Sequence, residues 1–165
     1  MVSSWENTKI DNSNMPLYLC VPERGGPVPG IVVVHGQSGL ENFIKDTTHM
    51  LALQGYASLD LKAAVMFYGS STMAPFGEGP SPFDRTREIS CPLQGHFGAD
   101  DQNPSPEDMR KLDAELSRWN KPHEFHTYVG AAHAFANATS ANYRPHAAPL
   151  AWPNATEFFS LHLVG

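Results

Sequence analysis

The stretch from Cys91 to Phe135 leaves the chain little choice of architecture. A strand-like run, Cys91-Pro92-Leu93-Gln94-Gly95-His96-Phe97-Gly98, passes into Ala99-Asp100-Asp101-Gln102-Asn103-Pro104. The pattern that follows predicts a helix over Ser105 to Trp119. Ser105 supplies the N-cap, Pro106 suits the first helical position, and Glu107 and Asp108 complement the positive end of the dipole. Met109, Leu112, Leu116 and Trp119 recur at helical spacing and make the buried stripe. A second strand is predicted over Glu124 to Gly130, ahead of Ala131-Ala132-His133-Ala134-Phe135. Strand, helix and strand in that order form a parallel crossover unit. The turns after the two strands then share one edge of the sheet, the edge where sites form in such folds.

Upstream, the same logic recurs. Met15 to Pro22 alternates as a short strand that pairs with the segment near Trp5 in an N-terminal hairpin, and Glu23-Arg24-Gly25-Gly26-Pro27 is a turn cluster. Ile31-Val32-Val33-Val34 is a β-branched run suited to a strand covered on both faces. It ends in the glycine-containing turn His35-Gly36-Gln37-Ser38-Gly39-Leu40. A helix is expected from Glu41 to Gln54, with Gly55 as its stop, and Tyr56 begins the next strand. That strand, Tyr56 to Leu61, runs directly into a second apolar run, Lys62 to Gly69. Parallel neighbours need a crossover of about a dozen residues, and Asp60-Leu61-Lys62 supplies neither a crossover nor hairpin chemistry. The junction reads as a lost crossover. Beyond it, Ser70 to Arg87 is a long loop rich in proline and glycine. The C-terminal segment reads as helical, with Pro149 and Pro153 expected to interrupt or kink it.

Composition narrows the partners. The 165 residues suit one domain, 41% apolar content supports a soluble core, and a formal charge of −6 disfavours nucleic acid and anionic membranes. The two cysteines, Cys20 and Cys91, follow no disulfide or metal spacing, as expected in a reducing compartment. Met1 to Glu6 has no signal-peptide pattern, and no apolar stretch reaches membrane-spanning length. A cytoplasmic protein without membrane or nucleic-acid contacts is the expectation. His123-Glu124-Phe125-His126 enters a strand, where the two histidines face opposite ways, so no metal site is expected.

Four turns follow predicted strands: Gly36–Gly39, Gly69–Ser71, Gly98–Asp101 and Gly130–His133. On their common edge Asp101 is placed to orient His133, which would act as general base and then general acid. The backbone N–H of Gln37 is the candidate oxyanion donor. Asp100 and Asp101 also fit an ordinary acidic turn, and His133 alone fits a satisfied loop histidine. Ser70, Ser71 and Ser38 are loop hydroxyls near that edge, whereas Cys91 starts its strand and lies a strand length away. Cys20 reads as a small packed hydrophobe. No residue is assigned as nucleophile.

The order of these segments is similar to that of the dienelactone hydrolase family of α/β-hydrolases. The residues that carry the resemblance are Val32 to Leu40, Gln54 to Ala57, Ala64 to Gly69, Gly98 to Pro104 and Ala132 to Phe135, with Asn142 to Pro145, Trp152 and Phe158-Phe159 behind them. The resemblance implies a three-layer α/β fold with a mostly parallel sheet and a cofactor-free hydrolase of esters or lactones. Its triad would be a cysteine or serine nucleophile with His133 and Asp101. In that family the nucleophile strand and its elbow would fall between the segments equivalent to Leu61 and Lys62, and neither Gly-x-Cys-x-Gly nor Gly-x-Ser-x-Gly occurs here. The acid that partners the resting cysteine would align with Gly36, and the arginine that binds a substrate carboxylate with Asn137.

Two functions follow. The first is an ester or lactone hydrolase built on a single, incomplete α/β-hydrolase domain over 1–165, acting on a small molecule. The alternative is an inactive, non-enzymatic remnant that associates with itself through unpaired strand edges.

Overall fold

The computed structural model of the protein describes residues 2–10, 13–21, 62–75 and 79–163. The chain divides into two units, Met1–Leu61 and Lys62–Gly165. Their boundary coincides with the abrupt join of two apolar runs in the sequence. In the first unit, β1 (Val2–Ile10) and β2 (Ser13–Val21) form an antiparallel hairpin with Trp5 opposite Tyr18. The two rings lie 5.3 Å apart, a cross-strand aromatic pair that favours this register. The predicted strands at Ile31–Val34 and Tyr56–Leu61, the helix from Glu41 to Gln54 and the turns at Glu23–Pro27 and Gly36–Gly39 lie outside the described residues.

The second unit carries the parallel sheet. β3 (Ala64–Phe67), β4 (Leu93–Gly98) and β5 (His123–Tyr128) are hydrogen-bonded in that order, all parallel. β4 starts two residues later than Cys91 because Pro92 has no N–H to donate; its carbonyl still accepts from the Ala64 N–H at 2.9 Å. Helix α1 (Pro106–Arg118) makes the crossover from β4 to β5. Its start is a full capping box: Ser105 Oγ accepts from the Asp108 N–H at 3.2 Å, and Asp108 Oδ2 accepts from the Ser105 N–H at 3.1 Å. The Ser105 hydroxyl, donating to Asp108 Oδ2 at 2.8 Å, and then the Ser105 N–H hold the Asp108 carboxyl below its ordinary range. The helix stops at Trp119, and Asn120 takes the left-handed conformation (φ 52°) that lets the chain turn toward β5.

Side-chain alternation sorts the strands into two faces. Leu93, Phe97, Met66 and Phe125 meet Met109, Leu112 and Leu116 of α1, and Leu116 and Phe97 are fully buried. On the opposite face lies helix α2 (Ala148–Leu163), whose Ala148 and Ala151 pack with Tyr128, Ala131, Phe135 and Phe67. Helix, sheet and helix thus form the three layers of this unit. The last helix is not interrupted. Pro149 occupies its first turn, where a backbone N–H has no helical acceptor, and Pro153 is accommodated inside a continuous run. Among its described residues, the predicted loop from Ser70 to Arg87 carries regular local structure. Its end is a 3-10 turn, Phe83–Glu88, whose Asp84 Oδ2 reaches back to accept from the Ser81 N–H (2.9 Å) and hydroxyl (2.7 Å). No helix among the described residues is long and apolar enough to cross a membrane.

The α2-facing side of the sheet is unusually polar for a buried surface. In-register pairing sets Phe67 beside His96 and His96 beside His126. Their rings stack at 4.6 and 5.1 Å, and Trp152 of α2 continues the file at 4.5 Å from Phe67. Gln94 donates its amide to Glu124 and accepts from His96 Nε2 at 2.8 Å, while His96 Nδ1 meets the Tyr128 hydroxyl at 2.8 Å. Every polar group of Gln94 and His96 is thereby answered, which is what permits their burial.

Candidate active site

Strand polarity brings the three described C-terminal turns of this sheet together, and Asp101 and His133 meet there. Asp101 follows β4 and is buried, with 2% of its surface exposed; His133 follows β5 and its side chain is 43% exposed. His133 Nδ1 lies 3.1 Å from Asp101 Oδ2. The other carboxylate oxygen, Oδ1, accepts from the Asn103 N–H at 2.9 Å. A buried carboxylate with a partner on each oxygen can hold an imidazole in one orientation. Asp100, by contrast, is exposed, with its N–H on the Ala131 carbonyl. His133 Nε2 has no hydrogen-bond partner among the described residues and is the ring nitrogen left to exchange a proton.

Local sequence explains why the two turns can touch. A Cβ on Gly98 would stand 2.2 Å from the Ala131 carbonyl oxygen and 2.6 Å from its carbon. Both are backbone atoms, so only glycine lets the β5 turn close over the end of β4. Gly98→Ala is expected to destabilise the fold by about 1–3 kcal/mol through overpacking, with the His133 loop displaced. Denaturant titration checks the first effect and the His133 imidazole resonances check the second; unchanged values for both would refute the close-approach argument. Beyond the turn, Gly130 (φ 71°) and Ala134 (φ 64°) flank the His133 segment in left-handed conformation. The Asn142 amide holds the His133 carbonyl at 3.0 Å, and Arg144 Nε donates to the Gly130 carbonyl at 3.0 Å.

One wall of the histidine is Tyr68, the first residue past β3. Its ring meets that of His133 edge-on with centroids 5.1 Å apart, and it also packs on Phe135 at 5.7 Å. Burial pushes the Tyr68 phenol up to about 12, so it stays protonated and offers the imidazole a neutral surface. Neither this role nor the loop contacts of Asn103 and Asn142 has a signature in the sequence. A tyrosine at a strand end and asparagines in turns have ordinary packing and turn explanations.

The remaining candidates separate by position. Gln37 and Ser38 lie outside the described residues, as does the side chain of Cys20. Cys91 is buried two residues before β4, and burial pushes its thiol up. The intervening strand spans roughly 20 Å, so this thiol stands at the far end of β4 from His133. The Ser71 N–H is bound to Asn103 Oδ1 at 2.9 Å. Asn137 closes its own turn, with Oδ1 accepting from the Thr139 N–H (2.9 Å) and hydroxyl (2.8 Å). His123 binds the Lys121 carbonyl and Asp113, whereas His126 lies on the other face near Gln94 and Glu124. Among the described residues no three His, Cys, Asp or Glu side chains are grouped to hold a metal ion.

Comparison with known proteins follows the same outline. The model of the dienelactone hydrolase family matches residues 57–163. A "Putative carboxymethylenebutenolidase" of Saccharolobus solfataricus is 25% identical over 167 residues, covering 93% of this chain and 65% of that protein. A protein of the same name from Azospirillum brasilense is 34% identical over 113 residues, covering 68% of this chain and 46% of its own length. The chain therefore spans less than two thirds of these relatives. Among solved structures, the "Putative Dienelactone Hydrolase" of Klebsiella pneumoniae superposes with a TM-score of 0.85 over 96% of this chain and 98% of that one, at 19% identity. That likeness establishes the α/β-hydrolase fold.

Proposed function

The chain belongs to the dienelactone hydrolase family, and from that membership we propose that it hydrolyses carboxylic esters or lactones with Asp101 and His133 as its acid–base pair. The observation that carries the reading is the 3.1 Å contact between His133 Nδ1 and a buried carboxylate, with Nε2 left for the substrate side. Asp101 holds the proton on Nδ1, so the lone pair sits on Nε2. That nitrogen takes the proton of an attacking hydroxyl or thiol as its oxygen or sulfur bonds to the acyl carbon. The imidazolium, stabilised by Asp101, then returns the proton to the leaving oxygen as the acyl–oxygen bond breaks. A water, giving its proton to His133 Nε2, next attacks the acyl intermediate, and that proton passes to the departing nucleophile as the carboxylic acid is released. Gln37 remains the proposed oxyanion donor. Cys91 does not serve as nucleophile, given its burial and its place at the opposite end of β4. Asn137 offers no cation for a substrate carboxylate and is engaged in its own turn, which favours uncharged esters and lactones over acidic ones.

The sequence also supports a second reading, since it contains neither elbow motif. Under it the chain is non-enzymatic and associates with copies of itself. Hydrolysis of a p-nitrophenyl ester separates the two. Turnover above the uncatalysed rate that His133→Ala removes supports the hydrolase; background rates in the unmodified chain, with a concentration-dependent mass in sedimentation, support the other.

A further inference from the structure

We infer that Asn103 is a positioning residue for the acid–base pair, acting by clamping the loop after β3 to the turn that holds the acid. The inference rests on the hydrolase reading above for its catalytic consequence, though not for its geometry.

The contacts form a closed circuit. Asp101 Oδ2 meets His133 Nδ1 at 3.1 Å, and the His133 ring lies edge-on against Tyr68. Tyr68 continues the β3–β4 ladder by one bond, its N–H on the His96 carbonyl at 2.8 Å. The chain then turns sharply, with Tyr68 at φ 39° and Ser71 at φ 56°. Neither residue is a glycine, so each resists that conformation unless its surroundings enforce it. For Ser71 the enforcing contact is Asn103, whose Oδ1 accepts the Ser71 N–H at 2.9 Å. Asn103 closes the circuit with its own N–H on Asp101 Oδ1 at 2.9 Å. A cavity of about 180 Å³ opens beside this clamp, lined by Ser71, Thr72, Met73, Asn103 and Pro104. The loop thus has room to relax if the clamp is released.

The two bonds of Asn103 are separable. The bond to Asp101 comes from the main chain and is available to every residue but proline; the bond to Ser71 belongs to the side chain alone. Asn103 is exposed, so losing its side-chain bond costs little stability. What it costs is the wall that fixes the tilt of His133.

Asn103→Ala should therefore leave the melting temperature within about 4 °C of the unmodified chain. It should lower kcat and kcat/KM together by between about 10- and 100-fold, the pattern of a misplaced base. Asn103→Asp, which keeps an acceptor oxygen in the same place, should restore most of the rate. The second readout needs no turnover. The His133 Nδ1 proton should be resolved and slow to exchange in the unmodified chain, exchange at least severalfold faster in Asn103→Ala, and slow again in Asn103→Asp. An unchanged His133 proton in a folded Asn103→Ala chain overturns the inference, as does a carboxylate that fails to rescue it. Absent ester turnover in the unmodified chain would defeat the hydrolase reading instead, and the proton exchange would still judge Asn103.

Discussion

Asp101→Asn is expected to lower kcat for ester substrates by roughly 10⁴-fold while leaving the protein folded. The magnitude follows from the tautomer that the carboxylate selects. Asp101 Oδ2 can only accept, so the proton of His133 resides on Nδ1 and the lone pair on Nε2. In the asparagine variant, the amide oxygen takes the Asn103 N–H in place of Oδ1. The amide nitrogen then faces His133 Nδ1 as a donor. The ring must accept there, which moves its proton to Nε2 and removes the lone pair that would receive the nucleophile's proton. Shape is preserved and chemistry is lost, so KM should change far less than kcat. Asp101→Ala is the informative companion. It frees the ring to choose either tautomer but leaves the Asn103 N–H and the imidazolium uncompensated, and its loss should be comparable. Steady-state kinetics on a p-nitrophenyl ester check both. A fall of less than tenfold in Asp101→Asn would reduce Asp101 to a turn residue.

Much of the frame around this pair is legible in the sequence, and the reason is local. Ser105, Pro106 and Asp108 announce the start of α1 through bonds that reach no further than three residues, and the stripe of Met109, Leu112 and Leu116 has one possible destination. A parallel crossover then fixes which ends of β4 and β5 coincide, so Asp101 and His133 had to share an edge. What escaped was long-range. No interruption forms at Pro149 or Pro153, because packing of Ala148 and Ala151 in the core outweighs one missing backbone bond. Gln94 and His96 are polar residues inside a buried strand. Their burial becomes tolerable only through Glu124 and Tyr128, whose placement depends on the register of β5. Asn103 belongs to the same class, since its partner Ser71 lies far back along the chain. Gln37 falls outside the described residues, and its role stays with the proposal.

The buried polar file makes the second large prediction, a loss of stability in acid that is traceable to His96. This ring is fully buried between Phe67 and His126, and burial first, then the neighbouring His126, push its titration from the ordinary 6.5 down to about 3. Glu124, His126 and Tyr128 face it from β5, Gln94 from its own strand, and Asn154 from α2 borders the same cluster. Because Gln94 Oε1 accepts from Nε2, the proton of neutral His96 resides there and Nδ1 accepts from the Tyr128 hydroxyl. An added proton on Nδ1 would displace that donor and bury a charge. The unfolded chain meets no such resistance and binds the proton near pH 6.5. Stability from this residue is therefore complete above about pH 6.5 and falls as the pH drops toward 3. The fall is about 3 kcal/mol by pH 4.5 and about 5 kcal/mol in full. Urea titrations from pH 7.5 to 4.5 should show this decline, and His96→Gln, which cannot titrate, should flatten it while starting from a lower stability. If that variant does not fold, the ring itself can be followed in the unmodified chain: its carbon and nitrogen resonances should stay at their neutral positions down to at least pH 4.5. A His96 ring that titrates near 6 in the folded protein, or an acid decline identical in His96→Gln, would show that the buried file does not hold its histidine neutral.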